Sequence, residues 1–153
     1  MLNPGDKAPA FELARDGGAT VSSKDLKGKA YVLYFYPKDN TPGCTQESCD
    51  FRDSFARITA KGVEVFGVSR DSVKSHDNFK AKYELPFPLL SDPDKVLHAA
   101  YGAWGTKKMY GKEVEGTIRS TFLIDKTGKV AKAWPKVSVK GHVDEVLAAI
   151  EAL

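Results

Sequence analysis

The sequence predicts an α/β fold in which helices flank a mixed β-sheet. Three observations lead there. A continuous β-branched and aromatic run, Ala30 to Tyr36, is followed at once by a helix-start signal and a helical apolar spacing. Strand-like and helix-like segments then alternate along the chain. A pair of strand-like segments joined by a glycine-containing turn closes the pattern before a last helix. With 153 residues against a typical ~100–200 per domain, residues 1–153 are expected to form a single domain.

The elements are read in order. Val21 to Asp25 is a strand end running into a turn at Ser22-Ser23. Ala30 to Tyr36 lacks polar alternation, so both faces of that strand should be buried, as at the centre of a parallel sheet. Pro37 to Asn40 is a loop. Thr41-Pro42 sets a capping hydroxyl before a proline at the first helical position. Cys49, Phe51, Phe55 and Ile58 continue with helical spacing to a stop at Gly62. Val63 to Val68 is a second buried strand, and Ser72 to Tyr83 is a polar helix carrying Val73, Phe79 and Tyr83. Leu85 to Leu90 contains two prolines and ends in a short strand. Ser91-Asp92-Pro93 is expected to cap a helix bearing Val96, Leu97, Ala100 and Tyr101. The glycine-rich stretch from Gly102 to Gly116 carries no assigned element. Ser120 to Ile124 and Lys129 to Trp134 form a hairpin across Asp125-Lys126-Thr127-Gly128. Val143 to Leu153 is an amphipathic helix.

Composition excludes several classes. Charge is nearly balanced, 23 Lys and Arg against 20 Asp and Glu, and the cations alternate with acids instead of forming a block, so nucleic acid is not an expected partner. The Ala30–Tyr36 run is far shorter than the ~20 residues that span a bilayer, so no membrane association is expected. Met1 to Ala10 carries Asp6, Lys7 and two prolines where a signal peptide needs an apolar stretch, which favours a cytoplasmic location. Two cysteines are too few for a disulfide scaffold and point to reactive or metal chemistry. Zinc fits poorly: structural zinc wants four ligands in close pairs, whereas His76, His98 and His142 are scattered and are expected on helix surfaces or caps. No metal or other cofactor is expected, and no phosphate-binding glycine motif occurs.

Cys44 stands three residues after Thr41, in the first turn of its helix. Amide N–H groups there lack intrahelical partners and carry the positive end of the helix dipole, so a thiolate is favoured. Burial as a small apolar side chain is the alternative. Cys49 follows five residues later. On an α-helix that is a rise of ~7.5 Å and a rotation of ~140°, placing the two Cα atoms roughly 8–9 Å apart, beyond the ~7 Å reach of a disulfide. Either Cys49 is a core residue, or the helix unwinds before the sulfurs meet.

The segment Pro37-Lys38-Asp39-Asn40-Thr41-Pro42-Gly43-Cys44-Thr45 resembles the peroxiredoxin active-site pattern of Pro, three residues, Thr, two residues, Cys. Its Pro-Gly-Cys-Thr form, with a second cysteine at plus five, is similar to the Q-type or bacterioferritin-comigratory subfamily. Tyr34-Phe35-Tyr36-Pro37, Leu90-Ser91-Asp92, Tyr101 to Gly105 and Arg119 to Asp125 agree, and the likeness runs from Gly5-Asp6-Lys7-Ala8-Pro9 to the last helix. The resemblance implies a thioredoxin-like fold and thiol-dependent reduction of hydrogen peroxide and organic hydroperoxides. By the same resemblance Cys44 is the peroxidatic cysteine, Thr41 bonds thiolate and peroxide, Pro37 shields the site, and Arg119 is the cation beside the sulfur. Cys49 matches the resolving cysteine of members that carry it on the same helix, with thioredoxin as the reductant. A monomer is also implied. Trp104, Met109 and Tyr110 could line an apolar collar beside the site, ordinary packing being the commoner role of such residues. A non-enzymatic redox-sensing or chaperone-like protein on the same fold is the alternative function.

Overall fold

A computed structural model describes residues 1–153, the side chain of Met109 excepted. Two short strands, β1 (Glu12–Ala14) and β2 (Thr20–Ser22), pair antiparallel near the start of the chain. Then come β3 (Ala30–Phe35), α1 (Pro42–Thr59), β4 (Val63–Ser69), α2 (Val73–Tyr83), β5 (Leu89–Ser91) and α3 (Val96–Tyr101). β6 (Trp104–Met109), β7 (Lys112–Thr117), β8 (Ser120–Ile124), β9 (Val130–Trp134) and α4 (His142–Glu151) complete it.

The central sheet has the order β5-β4-β3-β8-β9. β3 pairs parallel with β4 and antiparallel with β8, so the sheet is mixed. β3 lies at its centre, and all six of its residues are buried, as its unbroken apolar run requires. Successive side chains in a strand point to opposite faces, and β3 splits accordingly. Val32, Tyr34 and the following Tyr36 pack with Cys44 and Phe51 of α1, Phe79 of α2 and Val146 of α4. Tyr31, Leu33 and Phe35 pack on the other face with Leu97 and Tyr101 of α3 and with Phe11 and Leu26.

Aromatic packing fixes α1 against the sheet. The Tyr34 ring stacks on Phe51 with centroids 4.6 Å apart, and its hydroxyl lies 2.9 Å from the Ser48 hydroxyl inside the core. Truncating a buried ring such as Phe51 to alanine typically costs about 3–5 kcal/mol, so the floor under the first turns of α1 is firm.

Three sequence expectations need correction. The glycine-rich stretch forms a full antiparallel hairpin, β6–β7, turning at Tyr110-Gly111 with φ of 53° and 77°. Two consecutive left-handed residues mark a tight hairpin turn, and tyrosine at the first concealed it. The helix expected to start at Ser91-Asp92-Pro93 starts at Val96, after a left-handed Lys95. Asp92 still serves its amides from a distance, accepting from the His98 N–H at 2.9 Å. The histidines are not on surfaces: His76, His98 and His142 are all buried. His76 and His142 are satisfied by partners distant in sequence, Asp39 and Thr121, and His98 by the nearby Asp92 together with Thr117. Local spacing does not reveal the distant pairs.

Candidate active site

Cys44 occupies the third position of α1 and is 1% exposed. Pro42 opens the helix as expected, but Thr41 does not cap it with its side chain. The Thr41 hydroxyl instead donates to the Lys38 carbonyl at 2.8 Å, closing the Pro37–Thr41 loop upon itself. The first-turn amides beside Cys44 are thus left uncapped by any side chain, and remain as donors toward negative charge. The Thr41 carbonyl accepts from the Thr45 N–H and begins the helical ladder.

Arg119 lies in the two-residue link between β7 and β8, held by its carbonyl accepting from the Val137 N–H. Its Nη2 donates to Cys44 Sγ at 3.2 Å, and its Nη1 donates to Glu47 Oε1 at 2.7 Å. The forked guanidinium therefore grips two groups one helical turn apart on the same face of α1. Gly43 makes room for it: a Cβ there would stand 3.3 Å from Arg119 Nη2. Burial acts to lower the Arg119 pKa, but Glu47 and the Cys44 sulfur outweigh it and hold the guanidinium above its ordinary value.

Glu47 is fully buried, and its second oxygen has no hydrogen-bond partner. Burial pushes its pKa up to about 7, in spite of Arg119 acting in the opposite direction. Near neutrality this carboxyl exchanges its proton, and whenever it is neutral the Arg119 charge faces the sulfur alone. Sequence reading missed Glu47. The available signal was its spacing, since an acid three residues after Cys44 falls on the same inward helical face.

Cys49 is on the same unbroken helix as Cys44, half-buried and outside the apolar core, and both thiols are free. Burial raises the Cys49 pKa, Asp53 and Asp50 add to the rise, and Arg52 acts against it. Pro37 is half-buried at the head of the loop. Trp104 is half-buried, with the Arg70 guanidinium and Lys95 ammonium 4.9 and 4.7 Å from its ring centre. Tyr110 is 99% exposed at the hairpin tip and lines nothing. The Met109 side chain lies outside the described residues.

A buried thiol in the first turn of a helix, contacted by an arginine and packed against a thioredoxin-like sheet, is the arrangement of a thiol-based redox site. The comparisons with known proteins agree. A sequence profile described as the AhpC/TSA family matches residues 4–133. Peroxiredoxin Bcp of Bacillus subtilis is 54% identical over 143 residues, covering 94% of this chain and 91% of its own. A putative peroxiredoxin of Coxiella burnetii is 52% identical over 146 residues, covering 95% and 97%. Among solved structures, a cysteine-to-serine variant of Xylella fastidiosa peroxiredoxin Q superposes with a TM-score of 0.94 at 42% identity, over 99% of this chain and 97% of its own. The chain belongs to the AhpC/TSA family and, within it, to the Bcp or Q-type peroxiredoxins, which are thiol peroxidases. Family membership supports the first of the two functions considered from sequence: the protein is an oxidoreductase that takes peroxide substrates and a thiol reductant. No described helix is long and apolar enough to cross a membrane.

Proposed function

We propose that Cys44 is the peroxidatic cysteine, acting on hydrogen peroxide and organic hydroperoxides, and that Cys49 resolves it. One observation carries this reading: the 3.2 Å contact between Arg119 and the Cys44 sulfur at the uncapped start of α1. The Cys44 thiolate attacks one peroxide oxygen, the O–O bond breaks, and the departing oxygen takes a proton to leave as water or alcohol. Cys44 becomes a sulfenic acid. Arg119 and the first-turn amides face the charge that develops on the departing oxygen, which is where fixed donors contribute most. Thr41 and Pro37 shape the approach. The Cys49 thiolate then attacks the Cys44 sulfur, water leaves, and a Cys44–Cys49 disulfide forms.

Thioredoxin, or a dithiol protein like it, reduces that disulfide and becomes oxidised in turn. A related structure supports the organic substrates: it concerns alkyl peroxide reduction by the Xanthomonas campestris bacterioferritin comigratory protein, 48% identical with a TM-score of 0.88 over 93% of this chain and 90% of its own. The chain works as one domain and as a monomer, since Met1, Val96, Tyr110 and Leu153 are the large apolar side chains exposed among the described residues, too few for an obligate interface. It works in the cytoplasm, where a reducing dithiol pool exists. The test couples peroxide consumption to NADPH oxidation through thioredoxin and its reductase. Peroxide-dependent turnover is expected, and it should vanish in Cys44→Ser. Normal turnover by that variant would reject the reading.

A further inference from the structure

The loop that carries Pro37 and Thr41 is fastened to the fold by a buried polar cluster that the reaction as described does not use. Its centre is Asp39, with His76 of α2 beside it; the two residues are 6% and 0% exposed. Asp39 Oδ2 lies 2.7 Å from His76 Nδ1 and accepts from the Ser75 hydroxyl at 2.9 Å. Asp39 Oδ1 accepts from the Tyr36 hydroxyl at 2.6 Å. The Asp39 N–H donates to Asp71 Oδ2 at 2.8 Å, and the same oxygen accepts from the Ser69 hydroxyl. His76 Nε2 lies 2.9 Å from the Leu90 carbonyl oxygen of β5.

Hydrogen-bond logic fixes the protons. A carbonyl oxygen can only accept, so His76 Nε2 must donate. Nδ1 and Asp39 Oδ2 stand 2.7 Å apart and cannot both be bare acceptors, so a proton lies between them. A histidine that donates from both nitrogens is an imidazolium. Burial acts to lower its pKa, but Asp39 foremost, then the Leu90 carbonyl and Asp71, outweigh it and leave it above the ordinary value. Asp39, Asp71 and His76 also bring possible ligand atoms within 4.8 Å of one another. Both His76 nitrogens and both Asp39 oxygens are already committed to protein partners, so the cluster holds protons, not an ion.

We propose that the Asp39–His76 pair is a proton-dependent latch that positions the Pro37–Thr41 loop for the reaction at Cys44. The proposal rests on the assignment of that reaction to Cys44. Asp39 lies midway between Pro37 and Thr41, and both its backbone and its side chain are held. The next residue, Asn40, adopts a left-handed φ of 59° and is tied to α2 through its Oδ1, which accepts from the Tyr83 hydroxyl at 3.1 Å and Lys82 Nζ at 3.3 Å. The loop is therefore docked on α2 at two consecutive residues. Charged and titratable groups face the latch from every side: Tyr36 at the end of β3, Asp71 after β4, and Lys74 and Lys82 along the open cleft beside Asp39. When His76 loses its proton, one ring nitrogen becomes an acceptor facing an acceptor oxygen, and the latch opens. Loosening therefore comes on the alkaline side.

His76 and Asp39 are positioning residues, and the test reads protonation as well as rate. The 15N spectrum of histidine-labelled, reduced protein reports the His76 ring directly, and stopped-flow oxidation by hydrogen peroxide across the neutral to alkaline range reports the site. Both His76 nitrogens should be protonated at pH 7, and the peroxide rate should fall through the same midpoint at which the ring deprotonates. His76→Gln should react roughly ten- to a hundredfold more slowly, the scale of a small displacement of a positioned group, and should lack that alkaline fall. Ser75→Ala, which removes a competing donor from Asp39 Oδ2 and leaves more of its charge for His76, should move the alkaline fall to higher pH with the fold intact. A neutral His76 at pH 7, an alkaline fall unmatched to its midpoint, or unchanged profiles in both variants would overturn the latch. If His76→Gln does not fold, the wild-type spectrum and Ser75→Ala decide alone. Failure of the Cys44 assignment would appear separately, as turnover by Cys44→Ser.

Discussion

Arg119 Nη2 lies 3.2 Å from the Cys44 sulfur, although 75 residues separate the two in the chain. The contact joins the last strand pairings of the sheet to the first turn of α1, and it needs Gly43 to leave space and Glu47 to hold the other arm of the guanidinium. Three neighbours thus set the surroundings of the Cys44 sulfur, and each can be changed singly.

Replacing Arg119 with methionine keeps most of the stem and removes the cation. Oxidation of Cys44 by hydrogen peroxide, followed by stopped flow, should slow by about 10²–10³-fold, the range seen when one charge-stabilising donor is lost. Arg119→Lys should recover only part, because an ammonium cannot grip Cys44 and Glu47 in one plane. An unchanged rate in Arg119→Met would place the arginine outside the reaction.

Glu47 and His142 should give stability slopes of opposite sign. The Glu47 pKa is raised to about 7 by burial, above the ordinary 4.5. The folded protein binds its proton more tightly, so this contribution is full below about 4.5 and is lost as pH rises through about 7. The His142 pKa is lowered to about 4, chiefly by burial, against an ordinary 6.5. Its contribution is full above about 6.5 and is lost as pH falls through about 4. Urea unfolding across pH 4 to 8 should show Glu47→Gln flattening the decline toward neutrality, and His142→Gln flattening the loss toward acid. Parallel profiles for both variants and the wild type would contradict these protonation states.

Much of this was legible in the sequence, for identifiable reasons. The buried centre of β3, the proline at the start of α1 and the β8–β9 hairpin each follow from local residue patterns, and the structure has them at Ala30–Phe35, Pro42 and Ser120–Trp134. Cys44 was visible because its chemistry depends on a neighbouring helix start, and Arg119 because the family resemblance covers its segment. Glu47, Asp39 and His76 were not visible. Buried pairs such as Asp39–His76 join residues 37 apart, and local periodicity says nothing about which polar groups the sheet brings together. The same blindness put the three histidines on helix surfaces or caps and left β6–β7 unassigned, since a hairpin with tyrosine at a left-handed turn position carries no usual turn signature.

The unbroken α1 makes a conformational prediction. Cys44 and Cys49 stand five residues apart on one helix, too far to bond without movement by the roughly 8–9 Å helical spacing of their Cα atoms. Disulfide formation should unravel α1 over Gly43 to Cys49. Gly43, Thr45 and Ser48 are weak helix formers, which keeps the cost of opening low. Amide hydrogen exchange should be much faster for these residues in the oxidised protein, with the Tyr31–Phe35 strand little changed. Equal protection in both redox states would reject unwinding.

The central claim is that peroxide reacts at Cys44 and that Cys49 completes the chemistry. Peptide mass mapping after one equivalent of hydrogen peroxide tests it most directly, in wild type and in Cys49→Ser. The wild type should lose two hydrogens and yield a peptide joining Cys44 to Cys49, whereas Cys49→Ser should hold one added oxygen on Cys44 as a probe-reactive sulfenic acid. Oxidation found first on Cys49 or on a methionine, with Cys44 still a free thiol, would contradict the account.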